Sequence, residues 1–150
     1  MAIWKQALEL GPTGADGGLP ARNTLGERIG IRITEIGADY LRGTLPVDAR
    51  TRQPMGRLHG GASCALAEEL GSIAANLCLE PGRAFAVGLE INANHVRAAY
   101  EGVVTGTARP LHLGRSTQVW EIRIENEAGQ LVCVSRLTVA VVPLEPARPA

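Results

Sequence analysis

This chain has no prevailing charge. Fifteen Lys and Arg balance fifteen Asp and Glu over 150 residues, so the formal net charge is zero. No global field is left to draw the protein onto a duplex or an anionic membrane. Neither nucleic acid nor a membrane surface is expected as a partner. Long apolar runs are also lacking. Met1 to Gln6 has no apolar core of the kind a signal peptide carries, and nothing approaches the roughly 20 apolar residues of a membrane span. The expected location is the cytoplasm.

Cysteine is scarce and odd in number. Cys64, Cys78 and Cys133 are widely spaced among apolar neighbours, which fits buried reduced thiols better than disulfides or a metal site. His59, His95 and His112 form no helical H-x-x-x-H pair, so no metal is expected. The length suits one domain over 1–150.

Glycine and proline concentrate between Gly11 and Pro20, marking a loop within an N-terminal extension over 1–23. Before it, Ile3, Trp4 and Leu8 suggest a short amphipathic turn. Asn23-Thr24-Leu25-Gly26-Glu27 offers an N-cap and a nearby acid for one helical turn. Ile29, Ile31 and Ile33 then alternate with Gly30, Arg32 and Thr34, the period of a half-buried strand. Gly37-Ala38-Asp39 turns the chain, and Tyr40 to Val47 reads as the hairpin partner. From Gly60 to Leu79 the pattern changes: Leu66, Leu70, Ile73 and Leu77 recur every three or four residues, predicting one long helix that Pro81-Gly82 ends. Four β-rich runs follow, at 84–94, 102–111, 116–125 and 131–142. The tail over 144–150 is expected to fray.

One long helix against about six mostly antiparallel strands predicts an α+β domain. A single helix covers such a sheet only in part. Apolar surface should therefore remain for a second copy, and a homo-oligomer is expected.

The most informative stretch runs from Thr51 to Ser72. A polar loop with Gln53 and His59 leads through Gly60-Gly61 into a helix that still carries Glu68 and Glu69. No Lys or Arg occurs between His59 and Gly82. At about 100° per residue, Glu68, Ser72 and Asn76 fall on one stripe, away from the leucines. Two readings compete for that stripe. A solvated face is the common one, yet such a face normally carries i,i+4 cations. The other makes Glu68 a poorly solvated base or nucleophile among small side chains. The open N–H groups after His59 would suit a developing oxyanion; the competing reading is that Gly60 and Gly61 serve only a tight turn or close packing. Gly60 and Glu68 lie eight residues apart, about 12 Å along a helix. If both act on one carbonyl, the simplest arrangement is two antiparallel helices, with Gly60 of one copy meeting Glu68 of the other.

Three blocks carry a family resemblance: Arg52 to Ser63 with Ala67-Glu68, Glu90 to Arg97, and Leu111 to Arg115. Over about Ile29 to Pro143 the chain resembles the hotdog-fold acyl-CoA thioesterases, in the branch of the Arthrobacter-type 4-hydroxybenzoyl-CoA, 1,4-dihydroxy-2-naphthoyl-CoA and enterobactin-pathway proofreading thioesterases. The resemblance implies a central helix wrapped by the sheet, a dimer of dimers and hydrolysis of a CoA thioester, with no cofactor besides the CoA of the substrate. It implies Glu68 as the catalytic carboxylate, with the Gly60 N–H and Gln53 amide polarising the carbonyl. His59 would help place that carbonyl, and Ser72 would orient water or the carboxylate. It implies a CoA channel with Gly88, His95, Val96, Arg97 and Ala98 on one wall. His112, Leu113, Gly114, Arg115, Ser116 and Thr117 would form the other, with Arg97 and Arg115 meeting phosphates. Ala98-Ala99 stands where the family commonly has a proline. Two alternatives remain at this point: a hotdog dehydratase or hydratase using His59 and Glu68 as a proton-transfer pair, and a non-catalytic acyl-CoA-binding protein.

Overall fold

Alanine, glycine and leucine dominate between His59 and Cys78, and this stretch forms the long helix α2 (Gly60–Leu77). Its apolar stripe, Leu66, Leu70 and Leu77 with Ala67, Gly71 and Ala74, is buried. The computed structural model describes residues 2–7 and 23–144. The remaining elements are α1 (Leu25–Ile29), β1 (Arg32–Ile36), β2 (Leu41–Pro46), β3 (Ala84–His95), β4 (Val103–Leu113), β5 (Thr117–Glu125) and β6 (Leu131–Pro143). The six strands make one sheet in the order β1-β2-β4-β5-β6-β3, with every neighbouring pair antiparallel. α2 packs against β2 through β6, so the sheet curls around it. The core between them holds Leu41, Leu45, Val104, Trp120, Ile122, Ile124, Leu137 and Val139. This is the expected α+β arrangement.

The period-two residues behave as strands should: Leu41, Gly43 and Leu45 of β2 point inward, as do Gln118, Trp120, Ile122 and Ile124 of β5. The expectation at Ile29 differs from the structure. Ile29 closes α1 because Thr24 and Glu27 form a capping box, and Gly30 terminates the turn in the left-handed region at φ 85°. The strand therefore starts later, at Arg32. α2 ends at Leu77, two residues before the expected limit, with Cys78 as its cap.

Residues 2–7 form no helical turn. They strap the end of α2 instead. The Lys5 and Gln6 N–H groups donate to the Leu77 carbonyl at 2.7 and 3.1 Å. The Gln6 Nε2 group donates to the Asn76 and Leu79 carbonyls at 2.9 and 3.0 Å. These bonds satisfy carbonyls that the last turn leaves open, at a helix end with no basic side chain. Trp4 stacks on Trp120 beside this strap and donates through Nε1 to the Gly37 carbonyl. Leu8, the Gly11 to Pro20 loop and the tail over 145–150 lie outside the described residues.

β3 is an edge strand. Ala86 and Gly88 sit on its α2 side, while Phe85, Val87 and Leu89 are exposed at 40%, 40% and 61%. No helix among the described residues is long and apolar enough to cross a membrane.

Candidate active site

The loop before α2 is held on several sides. Thr51 Oγ1 donates to the Pro46 carbonyl at 2.6 Å, Leu58 N–H donates to Ala99 O at 2.8 Å, and His59 N–H donates to Thr51 O at 2.8 Å. His59 is the N-cap of α2, and its Nδ1 accepts from the Gly61 N–H at 2.8 Å. That bond leaves Nε2 as the outward nitrogen of the exposed ring. The Ala62 and Ser63 N–H groups both donate to the His59 carbonyl. Of the four N–H groups opening the helix, only that of Gly60 has no acceptor among the described residues.

Gly60 lines a cavity of about 400 Å³ together with Gln53, Arg57, Leu58 and Ser63. His95, Val96, Arg97, Ala98, Ala99 and Val132 form its opposite side. The Gln53 Oε1 accepts from the Met55 N–H at 2.5 Å, which orients the amide and leaves its NH₂ group free to donate. His95 Nε2 lies so close to Gly60 that a Cβ there would approach it to 2.9 Å. A side chain there would have to displace the His95 ring. Arg97 follows Val96 out of β3, both backbone N–H groups donating to Val132 O, and its side chain is exposed.

Glu68 is elsewhere. It lies two turns further along α2, half-buried, and its Oε1 accepts from Ser72 Oγ at 2.9 Å. A Cβ at Gly88 would come within 2.7 Å of that oxygen, so the carboxylate sits directly against the β3 backbone. Asn76 continues the stripe and bonds β3 at Ala86. Glu69, next along the helix, is also half-buried, and its carboxylate packs against Gly26 of α1. Burial holds its pKa above the ordinary carboxylate value. All three thiols are free, and burial raises each of their pKa values, that of Cys78 to about 11.

The predicted residues thus divide into two groups. Gln53, His59, Gly60, His95, Val96, Arg97 and Ala98 gather around the N-terminus of α2. Glu68, Ser72 and Gly88 meet at its middle. The hairpin with His112, Leu113, Gly114, Arg115, Ser116 and Thr117 belongs to the second end. Thr117 pairs with Ala140, and Ala140 pairs with Val87, so the hairpin tip is level with the Gly88 end of β3. His95 pairs with Cys133, and Cys133 pairs with Ile124, at the opposite end. Gly88 was expected on a channel wall; it forms the seat of the Glu68 carboxylate. Ser63, buried and lining the cavity, and Arg57 were not singled out from the sequence. Ser63 lies three residues after Gly60 and Arg57 two before His59. Helical spacing and loop proximity were the available signals.

Within one chain, then, amide and backbone donors face a cavity whose lining includes no carboxylate. The half-buried carboxylate held by a hydroxyl lies further along the same helix. Comparison with known proteins names this assembly of parts, since a model of the thioesterase superfamily matches residues 55–133. The chain belongs to that superfamily. The 1,4-dihydroxy-2-naphthoyl-CoA hydrolase of Escherichia coli K12 is 53% identical over 144 residues, covering 93% of this chain and 98% of that protein. The proofreading thioesterase EntH of Cronobacter turicensis is 50% identical over 139 residues, covering 93% and 98%. A thioesterase crystal structure from Haemophilus influenzae superposes with a TM-score of 0.88 at 46% identity, covering 98% of this chain and 99% of that one. The fold is the thioesterase hotdog, and the protein is a thioester hydrolase.

Proposed function

We propose that this thioesterase hydrolyses acyl-CoA at sites shared between two copies of the chain, with Glu68 of one copy acting on a carbonyl held by Gly60 and Gln53 of the other. One observation carries this reading. Glu68 rests against Gly88 while Gly60 rests beside His95. The midpoint of 60 and 68 on the helix is residue 64, and the midpoint of 88 and 95 on β3 falls between Ile91 and Asn92. Both midpoints therefore sit at one level of the molecule. A two-fold axis at that level, pairing the free β3 edges, brings Gly60 opposite the partner's Glu68 and His95 opposite the partner's Gly88 at once. Two equivalent sites per dimer follow. The exposed Phe85, Val87, Leu89, Leu111 and Leu113 support a second interface and a dimer of dimers.

At such a site the Gly60 N–H and Gln53 amide donate to the thioester oxygen as charge develops on it. Glu68 either attacks the carbonyl, expelling the CoA thiolate and forming an anhydride that water then cleaves, or removes a proton from the attacking water. Arg97 and Arg115, exposed and without an acid partner among the described residues, suit the phosphates of CoA. His59, the N-cap next to Gly60, helps to place that carbonyl.

Mixing tests the shared site. Glu68→Ala and Gln53→Ala proteins, each nearly inactive, should recover roughly a quarter of wild-type activity when co-refolded in equal amounts, since half the dimers would be mixed and each would hold one intact site of two. No recovery above either parent, with mixed dimers present, would place both groups in one chain.

For the acyl group the proposal is an aromatic thioester, supported by the relative named for 1,4-dihydroxy-2-naphthoyl-CoA. With only 3% aromatic residues, the chain would line its acyl pocket with aliphatic and small side chains, which discriminate weakly among flat groups of similar size. Wild-type kcat/KM should favour hydroxybenzoyl- or dihydroxynaphthoyl-CoA over medium-chain aliphatic CoA. A preference above about tenfold for aliphatic chains, roughly 1.4 kcal/mol, would overturn the aromatic assignment and leave thioester hydrolysis standing.

A further inference from the structure

Asn76 has so far served no purpose in the chemistry, yet its side chain is the most heavily bonded on the stripe it shares with Glu68. Its Nδ2 donates to the Ser72 carbonyl at 2.9 Å and to the Ala86 carbonyl at 3.4 Å. Its Oδ1 accepts from the Ala86 N–H at 2.8 Å. Ala86 is opposite Val141 of β6, and the Val141 N–H is turned the other way, to the Ser116 carbonyl. Ala86 accordingly directs its own polar groups outward, where an edge strand has no neighbour, and the Asn76 carboxamide bonds both as a neighbouring strand would.

The consequence reaches Glu68 by two short routes. Along the helix, Asn76 bonds the backbone of Ser72, whose hydroxyl donates to Glu68 Oε1. Along the strand, Ala86 is two residues from Gly88, which abuts that same oxygen. Both routes run through the single carboxamide. We propose that Asn76 is a positioning residue: its amide fixes how α2 lies against β3, and thereby where the Glu68 carboxylate stands. This inference rests on the reading that Glu68 is the reacting carboxylate.

The test is steady-state kinetics of the full-length protein on benzoyl-CoA, measured well below each variant's Tm. Asn76→Ala should lower kcat about tenfold while KM stays within about twofold, because a displaced carboxylate costs turnover and not substrate binding. Ser72→Ala combined with Asn76→Ala should lose little more than the worse single variant, as expected of residues acting through one group. Gln6→Ala is the control for stability alone: it cuts two bonds at the same end of α2, so it should lower Tm and leave kcat unchanged. Should Asn76→Ala fail to fold, Asn76→Asp keeps the bond from the Ala86 N–H and loses both donors, and the same fall in kcat is expected. Wild-type kcat in the folded Asn76 variant, or an equal fall in Gln6→Ala, overturns the inference. Glu68→Ala in the same assay keeps the two ideas apart. If it retains turnover, the assignment of Glu68 fails and the positioning role fails with it. If it is dead while the Asn76 variant is fully active, only the positioning role fails.

Discussion

At its N-terminal end α2 leaves one backbone N–H open to a cavity, beside an amide whose donor end is also free. Further along, the same helix ties its polar side chains down: Glu68 to Ser72, Ser72 to Asn76, Asn76 to the edge of β3. The first end has donors free for an oxygen, and the second holds a carboxylate oxygen by a hydroxyl. The difference teaches that a hydrolytic site needs both kinds of environment, and that one straight helix presents them about 12 Å apart. On the proposed reading, pairing of two copies, and not a bend in the chain, would bring them together.

Removing a group from each end is the sharpest way to break this contrast. Glu68→Ala should lower kcat about a thousandfold and Gln53→Ala about a hundredfold, the usual costs of losing a general base and a single oxyanion donor. Both proteins should keep a wild-type circular dichroism spectrum. If Gln53→Ala leaves kcat unchanged, the donor end has been assigned wrongly.

A smaller effect is expected from the hairpin on the acid side. Arg115→Ala should raise KM for CoA thioesters about fivefold with little change in kcat, because phosphate contacts far from the carbonyl contribute uniform binding. The penalty should shrink for a pantetheine thioester lacking the nucleotide. Equal penalties on both substrates would make Arg115 a structural residue.

A last effect, on thiol reactivity and not on turnover, concerns the strapped end, where burial raises the Cys78 thiol to a pKa of about 11. At pH 8 about one thiol in a thousand is ionised. In a Cys64→Ser/Cys133→Ser protein, alkylation by iodoacetamide should therefore accelerate about tenfold per pH unit from pH 8 to 10. A plateau near pH 9 would mean that the end of α2 opens to solvent and that the contrast between the two ends is weaker than the hydrogen bonds imply.

How much of this could be read in the residues depends on the range of the interaction. Strands β2 to β6 and the body of α2 are legible because their residue patterns are local, even where register shifts interrupt β3, β4 and β5. The Gln53, His59 and Gly60 loop is legible because its parts are close in sequence. Ile29 was misread because a period of two runs through a helical turn as easily as through a strand, and the cap at Gly30 decides between them. The strap over 2–7 was invisible because its bonds reach partners 70 and 73 residues away. At Gly88, expected on a channel wall, only packing shows that the missing Cβ also makes room for the Glu68 carboxylate. The opposing side of the cavity, with Ala99 and Val132, likewise arises from tertiary contact alone.

The Asn76 amide has one more consequence, for growth of the sheet. An open edge invites any strand of suitable length, and sliding by two residues preserves the alternation of faces. At Ala86 the invitation is withdrawn: both outward groups are already bonded, and an incoming strand finds nothing there to pair with. From Gly88 onward, among the described residues, β3 runs along the stretch that the proposed two-fold arrangement would pair. A residue of the helix thus acts as a stop for a strand to which it does not belong, and in the proposed pairing it would disfavour a register slipped past Ala86.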